Sequence, residues 1–151
     1  AVIFGLGLLA GCQAQPLYGS MGGNTRSIAV SEADSRVEQV VRNQLVLGFG
    51  GEQQNSAYRL DINVTSSVAG LLPGGLDNEF SAARTTVTAT YTLKSESTGE
   101  TVTSGSRFAD AQLDLPSQNF AQERAKLEAE NRAARQVAAL VSADITAALA
   151  R

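Results

Sequence analysis

The sequence predicts an α+β fold: a two-layer sandwich with two helices packed on one face of a mainly antiparallel four-stranded sheet. Two stretches in which apolar and polar residues alternate, 58–64 and 85–94, predict strands with one buried face. Two others, 34–47 and 119–149, carry apolar residues three and four positions apart, the spacing of a helix face. With two further strands the predicted order is β-α-β-β-β-α.

The first strand and the first helix are predicted within residues 27–51. A short strand is expected at 27–30, and either Ser31 or Asp34 can cap the helix that follows. One face of that helix is apolar and carries Val37, Val40, Val41, Leu45 and Leu47. Glycines at positions 48, 50 and 51 predict its end, because glycine is common just past a helix terminus.

The later elements follow from alternation, turn residues and helical spacing. A turn-rich loop is expected at 70–76, between the two alternating strands, and a hairpin at 95–100 leads into a last strand at 101–111. The closing helix begins near Ser117 or Asn119, and its core face carries Leu127, Ala134, Ala138, Val141, Ile145 and Ala148. Since each alternating strand has one polar face, both helices are expected on the same side of the sheet.

Composition excludes several classes of function. Among 151 residues there are 12 basic and 15 acidic side chains, one Cys and no His. Nucleic acid is not expected as a partner, because phosphate binding needs clustered Lys and Arg. No nucleophile–base pair, metal-ligand spacing or phosphate-binding loop is recognisable, so we expect no catalytic residue, no metal and no cofactor.

The N-terminal residues carry the most specific motif. Residues 1–11 are uncharged, are too short to span a bilayer, and fit the apolar part of a secretory signal whose basic start is missing. The letters LAGC, ending at Cys12, match the bacterial lipobox, so Cys12 is predicted to carry lipid. The alternative is an apolar strand that happens to end in Cys. Gln13, in place of Asp, favours delivery to the outer membrane.

These signals predict three segments. Residues 1–11 are a signal peptide, residues 12–26 hold the lipidated cysteine and a flexible tether, and residues 27–151 form a single α+β domain. The expected location is the periplasmic side of the outer membrane, where the lipid holds the chain.

Three sets of residues are candidate sites. The loop leucines, which can insert into lipid or a partner or pack back on their own sheet, are Leu71, Leu72 and Leu76. The basic residues, which can meet an anionic ligand or simply keep the surface soluble, are Arg59, Arg84 and Lys94. Asp110 and Asp114 are conceivable as paired carboxylates of an envelope hydrolase, but two solvated loop residues are the stronger interpretation.

Several short motifs, in order along nearly the whole chain, resemble one family. The letters QPLYG at 15–19, VRNQL at 41–45, YRL at 58–60, ATYTL at 89–93 and the alanine-rich stretch 129–134 are similar to motifs of the alphaproteobacterial LptE family. This family consists of outer-membrane lipoproteins of lipopolysaccharide (LPS) assembly.

The resemblance implies a noncatalytic role and two helices on a four-stranded sheet. Family members plug or stabilise a large outer-membrane β-barrel LPS-assembly protein and bind LPS through basic residues, a role that Arg59, Arg84 and Lys94 would fill here. Two alternatives stay open: an auxiliary lipoprotein of a phospholipid-transport system and, more remotely, the carboxylate hydrolase.

Overall fold

A computed structural model describes residues 27–53, 55–74 and 79–151. Its elements in chain order are β1 (Ile28–Val30), α1 (Arg36–Gly48), β2 (Tyr58–Gly74), β3 (Glu79–Ser95), β4 (Thr101–Asp114) and α2 (Asn119–Leu149). The sheet order is β1-β2-β3-β4; β1 pairs with β2 in parallel, and the other neighbours are antiparallel. The predicted α+β fold and its element order are confirmed.

The core lies between the sheet and the two helices. From the strands it receives large side chains such as Leu60, Val87 and Leu93, all without solvent exposure. The helix α2 contributes small residues instead: Ala129, Ala133, Ala134 and Ala138 are buried. Small side chains allow a helix to approach a sheet closely, so α2 covers both β3 and β4.

The first helix differs from its predicted form in its N-cap and in one residue of its apolar face. Its N-cap is Ser35, whose side chain accepts a hydrogen bond from the backbone N–H of Glu38 at 3.2 Å, so neither Ser31 nor Asp34 caps it. Leu47 is 72% exposed and does not belong to the core stripe. The glycine ending is confirmed, because Gly50 has a φ of 91° that favours glycine.

The strands β2 and β3 are longer than predicted, with 17 residues each. The predicted loop at 70–76 is wrong for residues 70–74, which belong to β2 and pair with β3 through two register shifts. Residues 65–70 of β2 are exposed on both faces. Backbone pairing with β3 therefore continues there without burial of side chains. For this reason the strand continues although apolar and polar residues no longer alternate in the sequence.

The edge of β2 beyond the short β1 is covered by two side chains. Ser31 Oγ accepts from the backbone N–H of Ile62 at 3.1 Å, and Glu38 Oε2 accepts from that of Val64 at 3.2 Å. Glu38 is only 3% exposed. These contacts supply the hydrogen bonds that a longer β1 would otherwise make.

Within the described ranges, neither helix combines the length and hydropathy needed to cross a membrane.

Replacing Thr85 with Val is expected to stabilise the fold. Thr85 is fully buried on β3, and among the described residues its hydroxyl finds no hydrogen-bond partner. Because valine has nearly the same shape and no hydroxyl to desolvate, we expect the free energy of unfolding to rise by about 1 kcal/mol. Urea denaturation measures the change.

The matched control is Thr88→Val, on the opposite face of the same strand, which should change stability by less than about 0.5 kcal/mol. A Thr85→Val variant that unfolds more easily than the wild type would show that the hydroxyl is hydrogen-bonded in solution.

Candidate functional site

None of the elements in the described ranges covers the sheet surface opposite the helices, and we call this surface the outer face. It comprises the odd-numbered residues 59–67 of β2 and the even-numbered residues 84–94 of β3 and 104–112 of β4. Most of these side chains are Thr, Ser or Asn, with a few charges and a single aromatic residue, Phe108. The predicted threonine-rich face therefore forms one broad, polar surface.

At one end of the outer face, two predicted basic residues lie side by side. Arg59 and Lys94 are register partners on β2 and β3, and both bind the carboxylate of Asp61. Arg59 Nε donates to Asp61 Oδ1 at 3.0 Å, and Lys94 Nζ donates to Asp61 Oδ2 at 3.0 Å. The bond from Arg59, supported by Lys94, lowers the pKa of Asp61. The three groups together carry one net positive charge.

The third basic residue lies at the other end of the same face. Arg84 and Lys94 are ten positions apart on β3, which corresponds to about 33 Å. Arg84 Nη1 is 3.8 Å from Asp110 Oδ2, and Thr86 Oγ1 donates to Asp110 Oδ1 at 2.6 Å. The structure thus brings together two of the three predicted basic residues and leaves Arg84 in a separate, charge-balanced pair.

A shallow hollow lies beside the Arg59–Asp61–Lys94 cluster. It has a volume of about 460 Å³, and Ile62, Tyr91 and Gly105 are among the residues that line it. Its polar side chains are Asp61, Asn63, Thr90, Thr92 and Ser104. Such a wall of hydroxyl, amide and carboxylate groups offers hydrogen bonds to a polar ligand. It contains no cysteine, histidine or lysine that could act as a nucleophile or base.

Behind the hollow, three side chains join β3, β4 and α2. Tyr91 Oη donates to Asp144 Oδ2 at 2.7 Å, while Arg107 donates to both carboxylate oxygens of Asp144, at 2.6 and 2.8 Å. Gly105 lies directly opposite Tyr91, and a Cβ there would meet the Tyr91 hydroxyl at 2.7 Å. The ring therefore needs a glycine at that position.

The electrostatics of this cluster favour a charged Asp144. Hydrogen bonds from Arg107 and then Tyr91 lower the pKa of Asp144, and the bond to Asp144 raises the pKa of Arg107. Burial, followed by the Asp144 bond, raises the pKa of Tyr91 to about 12. No pattern in the sequence predicted this cluster. Its one local signal was a glycine inside a strand, which often marks a close approach.

The other predicted site residues are dispersed. Asp110 and Asp114 share the outer side of β4 but lie about 13 Å apart along the strand, farther than the carboxyl pairs of glycosidases. Leu71 and Leu72 lie in β2, not in a loop. Leu76 and Cys12 lie outside the described residues. No group of three or more metal-ligating side chains occurs within 27–53, 55–74 and 79–151.

Comparison with solved structures places the chain among folds seen in bacterial lipoproteins. A candidate lipoprotein from Caulobacter crescentus CB15 superposes with a TM-score of 0.67 and 22% identity, over 83% of this chain and 92% of that one. Rare lipoprotein B from Shewanella oneidensis gives a TM-score of 0.59 and 10% identity, over 80% and 92%.

A minor lipoprotein from Acinetobacter baumannii gives a TM-score of 0.57 and 14% identity, over 80% of this chain and 89% of that one. No protein-family model matches the chain. No curated protein matches it either. At these identities the likeness establishes a shared fold.

Asp144→Asn is expected to remove an acid-sensitive part of the stability. The lowered pKa of Asp144 means that its carboxylate stabilises the fold above the unfolded value of about 3.9, and that this contribution is lost as the pH falls through the folded pKa. We expect the wild type to have the higher urea midpoint at about pH 7, and the difference to shrink at about pH 3.

The matched control is Asp114→Asn, because Asp114 is exposed on β4. Its midpoint should follow the wild type at both pH values. Equal midpoints for Asp144→Asn and the wild type near neutral pH would contradict a stabilising role for the Tyr91–Asp144–Arg107 cluster.

Proposed function

We propose that this chain is an outer-membrane lipoprotein that partners a β-barrel LPS-assembly protein in a Gram-negative cell. The observation that carries the proposal is the agreement of two independent features. The lipobox at Cys12 comes from residues 1–26, whereas the fold shared with bacterial lipoproteins comes from residues 27–151. Acyl chains on Cys12 would anchor the chain to the periplasmic side of the membrane.

The position of Ser27 suits such an anchor. Its carbonyl accepts from the backbone N–H of Ala57 at 3.0 Å, and the Ala57 carbonyl accepts from that of Glu96 at 3.0 Å. The N-terminal segment therefore joins the sheet at the end that carries the turn between β3 and β4. A chain of 14 residues, from Gln13 to Arg26 (26 − 12 = 14), spans at most about 50 Å. The polar outer face can thus meet a partner at the membrane surface.

The side-chain chemistry supports a binding role better than a catalytic one. The outer face offers many hydroxyls and a hollow, but Asp110 is engaged by Thr86 and Arg84 and lies far from Asp114. That separation does not favour a carboxylate hydrolase. The proposed partner, a β-barrel, presents a broad surface, and a broad sheet face suits such a surface better than it suits a small substrate.

We further propose that the Arg59–Asp61–Lys94 cluster contacts an LPS phosphate. Both cations point to the outer face, and the cluster keeps one net positive charge after Asp61 is counted. An approaching phosphate can draw donors from both side chains, because each has more N–H groups than Asp61 occupies.

The partner is tested by affinity purification of the natively lipidated chain from detergent-solubilised outer membranes. We expect a large β-barrel LPS-assembly protein to co-purify. A Cys12→Ala control, which cannot be acylated, should lose that partner because it stays at the inner membrane. Recovery of the lipidated chain alone contradicts the proposal, and recovery with phospholipid-transport proteins favours that alternative.

The ligand site is tested with Arg59→Ala and Lys94→Ala combined. Their loss leaves Asp61 uncompensated, so we expect LPS affinity to fall at least about tenfold, equivalent to about 1.4 kcal/mol. The measurement is binding of purified protein to LPS micelles at constant ionic strength.

The control for this experiment removes two positive charges on α2, Arg124 and Arg135, which are exposed away from the outer face. It should bind LPS as the wild type does. Equal losses in the two double variants would mean that net charge, and not this cluster, controls binding.

A further inference from the structure

Along the outer edge of β4 runs a long row of backbone groups that find no partner in the described part of the chain. Along β4 the backbone N–H and C=O groups of the odd-numbered residues point toward β3, as the bond from Leu115 N to Ser81 O shows. The backbone groups of the even-numbered residues therefore point away from β3, toward the open edge. Among the described residues, no hydrogen bond reaches the edge-facing backbone of Ser104, Ser106, Phe108 or Asp110. The row stops at Gln112, whose carbonyl accepts from Arg132 Nη2 at 2.7 Å.

At the opposite edge of the sheet, the first part of β2 is covered. There β1, Ser31 and Glu38 satisfy the backbone of β2 from Tyr58 to Val64. An exposed edge strand is a template for pairing with another chain, and proteins usually cover such edges or break them with Pro, bulges or charges. Between Ser104 and Asp110, β4 has no Pro and no bulge, and its only charged residues are Arg107 and Asp110.

An apolar notch accompanies the open edge. It has a volume of about 300 Å³ and lies between β4 and α2, where Leu140 and Ala143 line it together with Ser106, Arg107, Phe108 and Asp144. Phe108 is 64% exposed and Leu140 is 41% exposed. Exposed large apolar groups beside unpaired backbone indicate a surface that another strand covers.

We propose that the occupant is a second copy of this chain, whose β4 pairs with this one in antiparallel fashion about a two-fold axis at Phe108. The edge is complementary to itself. In this register Phe108 faces Phe108 of the other copy, and Ser106 faces Asp110, so an aromatic pair and two Ser–Asp hydrogen bonds form together. About six backbone hydrogen bonds close between residues 106 and 110.

Other registers fit less well. An axis at Arg107 sets two guanidinium groups directly opposite each other, and like charges in that position are destabilising. An axis at Ser106 places Phe108 against Ser104 and removes the aromatic pair. The axis at Phe108 sets Arg107 against Ala109, which leaves the bonds between Arg107 and Asp144 intact.

The helix layer is compatible with this arrangement. The helix α2 contacts both β3 and β4, so we place its helix axis midway between these two strands. With strands about 4.8 Å apart, the α2 axes of the two copies then lie about 10 Å from each other. That distance is typical of packed helices. Leu140 and Ala143 then meet across the seam, which buries the apolar notch. The two outer faces form one continuous surface, and the pairing does not depend on the proposed function.

Cysteine crosslinking tests the register. The full chain carrying Cys12→Ala has no other thiol, so an introduced cysteine reports only its own position. Purified in mild detergent and gently oxidised, Phe108→Cys should form a disulfide-linked dimer, because paired residues there have Cα atoms about 5.5 Å apart. The combination of Ser106→Cys and Asp110→Cys should also crosslink, with Phe108 retained.

Ser106→Cys alone and Asp110→Cys alone are the matched controls. Each lies about 13 Å from its own symmetry copy and should stay monomeric after oxidation. Crosslinking of either single control would overturn the register. Absence of crosslinks at Phe108→Cys and in the double variant, with a monomer in sedimentation of the uncrosslinked chain, would overturn the dimer.

Discussion

The close packing of α2 on β3 and β4 is the constraint on which the rest of the structure depends. Alanines of the helix, including Ala133 and Ala134, and small residues of the strands, such as Ala89 and Ala109, are all buried in the layer between α2 and the sheet. A larger side chain in this layer would force the helix away from the sheet. Because both helices lie on this one side, none of the described elements covers the other side of the sheet, which is accordingly polar.

The same arrangement explains where the ionic contacts lie. On the helix side, Asp144 is drawn to Tyr91 and Arg107 and ties the last part of α2 to two strands. On the outer face, Asp61 is held between Arg59 and Lys94. The first cluster joins secondary-structure elements, whereas the second stands at the surface of the sheet, where a charged ligand can reach it.

How far the sequence predicts the structure depends on how each signal arises. Residues 58–64 and 85–94 alternate because one face of each is buried, so these strands were predictable. The continuation of β2 to Gly74 rests on backbone pairing with little burial, which leaves no period in the side chains. Leu47 was wrongly predicted to belong to the buried face of α1, because helical spacing does not show where a helix loses contact with its sheet.

The site was less predictable than the fold. Alternation correctly placed Arg59 and Lys94 on the polar side, but only the register of β2 with β3 shows that they are neighbours. Arg84 obeys the same alternation and lies at the far end of the strand. The contact of Tyr91 with Asp144 joins residues 53 positions apart, and no local pattern encodes it.

The central claim, that this chain supports a β-barrel in LPS assembly, is tested most directly by conditional depletion in the native cell. As the chain is depleted, we expect the folded form of the barrel and the LPS displayed at the cell surface to fall before other outer-membrane proteins decline. Unchanged levels of folded barrel and surface LPS after depletion would contradict it.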